Sequence, residues 1–278
     1  MAGINNQRWL NDIIPPQQQN NTRELYIWPD NLRNDTEHQE LYQNVPEGNK
    51  IYIPARTLIG ILDFTTFPNL EKLSVQKQSI TELNLKNCNK LTEIRVNDNL
   101  LKKIVWPNNT PRLKVIEIEN NNFETCDLSV FSDFPNLQVL TIGTKNRDRI
   151  RDGIYNRFYG SLKYLENLVL LQSLSIDATD VDSGLEYLPT DELNFLTFGS
   201  CDREEARVKN LWKTLADQSV QLGIILKPGG NFDEWAANEG VYSEVDGFDE
   251  CMDKIEAIRE WQDLQQTLQN QTQVRRIL

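Results

Sequence analysis

Apolar and polar positions along this chain recur with a period of just over twenty residues. The segments LEKLSVQKQSI, LTEIRVNDNLL, LKVIEIENNNF, LQVLTIGTKNR, LQSLSIDATDV and LNFLTFGSCDR begin at Leu70, Leu91, Leu113, Leu137, Leu171 and Leu193. Successive starts lie 21, 22, 24, 34 and 22 residues apart. Within each segment the apolar residues follow L-x-x-L-x-L, most fully in Leu113, Ile116 and Ile118, with Asn121 and Phe123 completing L-x-x-N-x-L. Two apolar residues two apart face the same side of a strand, and those between them face the other. Each repeat therefore predicts one short strand. A single repeat cannot bury its apolar face, so stacked neighbours and a parallel sheet follow.

The polar position after each strand is Asn99 or Asn121 in two repeats, where a side-chain amide can bond the backbone of the adjacent turn. Gln78, Lys145 and Thr179 stand there in three others and predict interruptions of that ladder. A second apolar set, Leu83, Leu85, Ile104, Trp106, Leu128, Phe131, Leu185 and Leu188, belongs on the back of the array. Pro68, Pro107, Pro111, Pro135 and Pro189 disfavour long helices there, so the back should consist of extended pieces and single helical turns.

Upstream the period weakens. TRELYIWPDNL places Leu25, Ile27 and Leu32 in register, and a second weak repeat follows at Ile51, Ile53, Leu58, Leu62 and Phe64. Between them lies a polar excursion holding the sole histidine, His38. The array then spans residues 22–202, about eight repeats with the first two degenerate. Residues 1–21 read as a cap and linker: a helix over Gln7 to Ile14 with Trp9, Leu10 and Ile13 as its apolar edge, ended by Pro15 and Pro16.

The 34-residue step carries a long loop, 143–160, with five basic and two acidic residues between Lys145 and Arg157. Ile150, Ile154, Tyr155 and Phe158 are expected to pack on the back, leaving the charges solvated; a patch for an acidic partner segment is the other reading. After Cys201, residues 203–231 read as a C-terminal cap, with Val208, Leu211, Trp212 and Leu215 at helical spacing. Residues 232–278 form an acidic segment and an amphipathic helix striped by Phe248, Met252, Ile255, Ile258, Trp261, Leu264 and Leu268. That stripe could dock on the array or pair with its own copy over 248–270; Gln262, Gln265 and Gln266 leave it an imperfect coiled-coil heptad.

Charge and chemistry narrow the function by exclusion. A net charge of -12 argues against nucleic acid and anionic membranes as partners. The N-terminus lacks the features of a secretory signal, so a cytoplasmic location is expected. Four scattered cysteines, Cys88, Cys126, Cys201 and Cys251, suggest reduced thiols rather than a disulfide or zinc framework. With one histidine and no nucleotide-binding motif, catalysis, cofactors and metals have no positive support. Asp180, Asp182 and Gly184 give only a faint match to a calcium loop.

The spacing L-x-x-L-x-L-x-x-N-x-L resembles that of leucine-rich repeat proteins. More narrowly, LDFTTFPNLEKL, ITELNLKNCNKLTEI, DGIYNRFYGSLKYLENL and DSGLEYLP are similar to segments of the expanded intracellular leucine-rich repeat families of soil fungi. The resemblance implies an α/β solenoid with short parallel strands on a concave face, an irregular convex side, and a helical C-terminal cap and tail. It also implies that Cys201 substitutes for the asparagine, and that the solenoid is a binding platform without catalytic residues. The concave surface would comprise Tyr26, Trp28, Tyr52, Ser74, Gln76, Arg95, Asn97, Glu117, Glu119, Thr141, Ser175, Asp177 and Thr197. Tyr, Trp and Arg dominate interface energetics, which favours the end from Tyr26 to Arg95 for contact. A non-enzymatic protein-binding scaffold is the leading expectation. The alternative is an assembly protein that oligomerises through its C-terminal helix.

Overall fold

A computed structural model describes residues 6–29, 49–55, 57–189 and 192–211. The chain winds into a solenoid of parallel strands. Its front sheet has eight strands in the order β14-β12-β10-β8-β6-β4-β1-β2. These are β1 (Glu24–Pro29), β2 (Lys50–Ala55), β4 (Lys72–Val75), β6 (Glu93–Arg95), β8 (Val115–Glu117), β10 (Val139–Thr141), β12 (Ser173–Ser175) and β14 (Phe195–Thr197). The middle apolar residue of each strand, from Leu25 through Leu73, Ile94, Ile116, Leu140 and Leu174 to Leu196, is buried and registers with its neighbour.

The back consists of two three-stranded sheets. One contains β3 (Ile59–Asp63), β5 (Ser79–Asn84) and β7 (Lys103–Val105); the other contains β9 (Cys126–Asp127), β11 (Phe158–Ser161) and β13 (Asp180–Ser183). Single 3-10 turns at Leu128–Phe131, Leu162–Leu165 and Leu185–Tyr187 complete it. The prolines and short intervals leave room for nothing longer. Leu83, Leu85, Leu128, Phe131, Leu185 and Leu188 are buried there as expected, with Trp106 packed against Phe131 and Phe134. Short helices make up little of the described residues, so the α/β description overstates the helical part.

The N-terminal half-repeats differ from the expected order. β2 lies outside β1, and β1 pairs directly with β4. Leu58, Leu62 and Phe64 then belong to the back half of the first turn, because β3 pairs with β5. The second degenerate repeat is therefore an edge strand inserted between the front and back of turn one. Seven turns replace the eight expected.

The helix α1 (Asn6–Ile13) packs on β3, whose outer edge would otherwise present unpaired backbone. The Asn6 amide donates to Ile59 O, and the Gln7 side-chain oxygen accepts from Asp63 N at 3.0 Å. Leu10 and Ile14 are buried, whereas Ile13 is exposed, so the apolar edge is set one residue later than expected. The run after Pro15 is not a linker: α2 (Pro16–Gln19) buries Gln19, whose amide donates to Ile14 O at 2.6 Å.

At the other end Val208 and Leu211 join the core, and the remainder of the expected cap lies outside the described residues. So do Leu32, His38, Cys251 and the whole stripe from Phe248 to Leu268. Among the described residues no helix is long and apolar enough to cross a membrane.

Candidate functional site

The asparagine ladder is more continuous than the sequence suggests. Asn99 and Asn121 are fully buried. The Asn121 oxygen accepts from Leu101 N at 3.0 Å, and its nitrogen donates to Val96 O, Ile118 O and Glu119 O at 2.9, 3.0 and 3.2 Å. Lys145 does not break the series, because Asn156, beyond the long loop, returns to the vacant place. Its oxygen accepts from Phe123 N at 3.2 Å, and its nitrogen donates to Ile118 O and Ile142 O at 3.0 and 2.8 Å. Gln78 supplies the acceptor half, to Leu58 N at 2.8 Å, and the Thr179 hydroxyl donates to Ile176 O at 2.7 Å. The interruption expected at Lys145 is thus bridged, whereas those at Gln78 and Thr179 are present in part: the Gln78 amide nitrogen is buried without a partner, and the Thr179 hydroxyl bonds only within its own turn. Just before this position the backbone turns left-handed at Lys77, Asp98, Asn120 and Ala178, which closes each front strand.

The ladder fixes the front face. Its middle row runs Tyr52, Tyr26, Ser74, Arg95, Glu117, Thr141, Ser175 and Thr197, each registered with the next. Trp28, Gln76, Asn97, Glu119 and Asp177 follow two residues on. All thirteen residues singled out from the sequence therefore share the front sheet or its trailing edge. Their environments differ from those expected.

The aromatic end is engaged internally. Trp28 is 6% exposed and donates to Ser74 Oγ at 3.0 Å; Tyr26 and Tyr52 stack with centroids 4.7 Å apart. Lys50 lies over both tyrosine rings and pairs with Glu24 at 3.2 Å. Burial, then the Glu24 hydrogen bond, raises the Tyr26 hydroxyl pKa. Arg95 is held between Glu93 and Glu117, and Lys72 pairs with Glu93 at 2.9 Å. Trp28 and Ser74 thus present little surface, while Tyr26, Tyr52, Gln76, Arg95, Asn97, Glu117, Glu119 and Thr141 remain partly exposed.

At the opposite end Ser175, Asp177 and Thr197 are buried. Asp177 is 0% exposed and accepts from Ser175 Oγ at 2.9 Å, Thr197 Oγ1 and Gly199 N at 2.7 Å. These bonds satisfy a carboxylate that would otherwise be costly to bury. Lys145 Nζ stands 3.6 Å from it.

The long loop is placed differently from the expectation that it packs on the back. Phe158 does enter the back core, against Phe123 and Phe131. The helix α3 (Arg147–Arg151), capped by the Asn146 side chain, instead runs along the edge where the front strands end. Asn120 Oδ1 accepts from Lys145 N and Asn146 N at 3.0 and 3.2 Å, Arg149 donates to Asn99 O, and Arg147 pairs with Asp202 at 3.1 Å. Ile150 forms a small separate core with Ala178, Cys201 and Tyr155. Arg203, not singled out from the sequence, secures this edge. It is 5% exposed, donates to Ala178 O at 2.7 Å, forks onto Asp180 at 2.8 and 3.0 Å, and stacks on Tyr155. Its signal lay only in a lone Arg after the last repeat. Asp180 is thereby committed to an ion pair rather than to a calcium loop. Among the described residues no group of three or more His, Cys, Asp or Glu could hold a metal ion.

Glu119 occupies the middle of the trailing row. Burial raises its carboxyl pKa; Lys145 opposes this, while Asp98, Glu117 and Asp177 add to it. A carboxyl with a higher pKa when folded contributes stability that is complete below the unfolded value and is lost as pH rises through the folded value. Glu119→Gln is therefore expected to melt like the parent near pH ~4 and above it near pH ~7, the difference opening across the glutamate range. Thermal melts of both proteins across that interval would check this. A constant or inverted difference refutes it.

Cys88, Cys126 and Cys201 are free thiols, and burial, aided by Asp63, pushes Cys88 up to about 12. Such a thiol is inert. No family model and no curated protein matches this chain.

Proposed function

We propose that this protein is a non-catalytic scaffold of the leucine-rich repeat type that binds a protein partner on its front face. The observation that carries the reading is the partly exposed row from Tyr52 and Tyr26 through Arg95 to Glu117, Glu119 and Thr141, laid on a rigid eight-stranded sheet. Alternating charges and adjacent aromatics on an inflexible platform suit a polypeptide surface, because little ordering entropy is lost on contact. Buried reduced thiols fit a reducing compartment such as the cytoplasm.

The contact region is centred on residues that keep exposed surface, so Trp28 is replaced by Tyr26 and Tyr52 as the aromatic element. A chain with Tyr52→Ala and Glu117→Lys is expected to lose captured partners, each contact residue being worth about 2 kcal/mol or roughly thirty-fold in affinity. Quantitative mass spectrometry of proteins captured by this chain, the parent and a control, Val169→Ser, at an exposed turn before β12, provides the measurement. Equal capture by all three would overturn the reading.

A further inference from the structure

Arg149, in the middle of α3, is half-buried, and its Nη2 donates to Asn99 O. That is the one hydrogen bond its guanidinium makes among the described residues. Nε–H is buried without an acceptor, whereas Nη1 bonds nothing described and is open to solvent. Among the described residues no carboxylate pairs with it. Burial lowers its pKa; Asp98 opposes this without reversing it, and Asp98 Oδ1 is itself occupied by the Asn120 amide at 3.0 Å. A guanidinium carries five donors and stays charged, so holding it half-desolvated without an anion is costly.

Arg157 stands on the neighbouring turn. Asn99 and Asn122 belong to consecutive turns, Asn122 N bonding Leu101 O at 3.0 Å, and such strands lie about 4.8 Å apart. Arg157 donates to Asn122 Oδ1, Tyr155 O and Gly153 O at 3.0, 3.2 and 3.1 Å and stacks on the Tyr155 ring. All of these partners are neutral, so its charge too is unpaired among the described residues. Gly153, which it reaches, closes α3 by bonding Ile150 O at 2.9 Å. The two guanidiniums therefore share one strip of surface.

We propose that this strip is a binding site for a carboxylate, held end-on by the Arg149 guanidinium with Arg157 as the second positive charge. Nη1 and the free hydrogen of Nη2 are parallel donors at the spacing of two carboxylate oxygens, and such a fork adds geometric specificity to charge. Neither cation has to leave an acidic partner to make these bonds. The charge on Asp98 favours a singly charged group over a phosphate dianion. The site adjoins the front row, since Asp98 N bonds Glu119 O at 3.1 Å, but it does not rest on the reading of that face.

Side-chain nitrogen NMR of the full chain, titrated with sodium acetate at an ionic strength held constant with sodium chloride, tests the site. The Arg149 Nε–H resonance, identified as the one missing from Arg149→Gln, should shift and saturate, and that of Arg157 should move with it. Arg149→Lys keeps the charge and loses the fork, so it should bind acetate roughly five- to ten-fold more weakly. Melting supplies a second readout. Parent and Arg149→Gln should melt alike in chloride, because one bond is lost while an uncompensated charge is removed. In acetate at about ten times its dissociation constant, only the parent should gain. A capped glutamate, N-acetyl-Glu-amide, is the second probe: tighter binding than acetate assigns the site to polypeptide side chains, and weaker binding to small free acids. A shift that fails to saturate, or that chloride reproduces, overturns the proposal, as does tighter binding of inorganic phosphate. Undiminished binding by Arg149→Lys overturns the fork. If Arg149→Gln lowers the melting temperature equally in both salts, Arg149 is a structural residue only and the site is refuted.

Discussion

Asn156→Ala is expected to destabilise the array by about 4 kcal/mol, among the largest effects available to a single side chain here. The substitution leaves Phe123 N without its acceptor and Ile118 O and Ile142 O without their shared donor, all in the interior. Buried unmet backbone groups cost about 1–3 kcal/mol each, and water cannot reach these without opening the turns. The effect should also be local, because each turn of a solenoid contacts only its neighbours. Hydrogen exchange should accelerate in β8 and β10 before β4. Asn156→Asp keeps the acceptor but turns an ionised oxygen toward the Ile118 and Ile142 carbonyls in the interior, so near pH ~7 it should cost at least as much as the alanine variant. Urea titration gives the magnitudes. A loss no greater than that of Asn146→Ala, a cap on an exposed short helix, would show that the ladder does not pass through Asn156.

Gly143→Ala is expected to cost about 3 kcal/mol or more, although glycine to alanine is usually mild. The reason is room rather than backbone conformation. A Cβ at Gly143 would overlap the Asp177 backbone nitrogen and stand 2.8 Å from its carbonyl oxygen. Retreat is blocked, because Gly143 N bonds Ser175 O at 3.1 Å and Thr144 N bonds Asp177 O at 2.8 Å. Separating the two turns would break both bonds and disturb the carboxylate that gathers Ser175, Thr197 and Gly199. Gly153→Ala is the comparison: its φ of +74° is left-handed but its surroundings are open, so only about 1–2 kcal/mol should be lost. Denaturation midpoints of the two variants check the order. If Gly153→Ala cost more, the close approach of the turns at Gly143 would not limit the fold.

Both effects depend on the segment between β10 and β12, where sequence and structure diverge most. The front strands were legible residue by residue, because alternation and period are local properties: Leu73, Ile94, Ile116, Leu140, Leu174 and Leu196 are all buried on one side. The row of outward residues followed from the same alternation. Its accessibility did not. Trp28 is buried against Tyr26 and Tyr52 with its N–H satisfied by Ser74 on the next strand, and Asp177 is buried where three donors from two turns converge on it. Neither fact is encoded in the spacing of either residue.

The excursion after β1 and the 34-residue step were recognised as departures, but their destinations were not. β2 pairs outside β1 because the edge of the sheet offered unpaired backbone there, a property of the assembled sheet. Asn156 takes up a role assigned by position to Lys145, since a buried carbonyl needs a donor from wherever the chain can return one. α3 settles along the strand ends because Asn120, Asn99 O and Asp202 together offer it partners from three turns.

The sequence by itself determined the repeating strand, its buried side and the stacking that follows, because these depend on residues two to four apart. The tertiary structure alone decided the number and order of the turns, the continuity of the ladder and the path of the long loop. Those depend on hydrogen bonds and ion pairs between residues tens of positions apart, whose partners exist only once the turns have stacked.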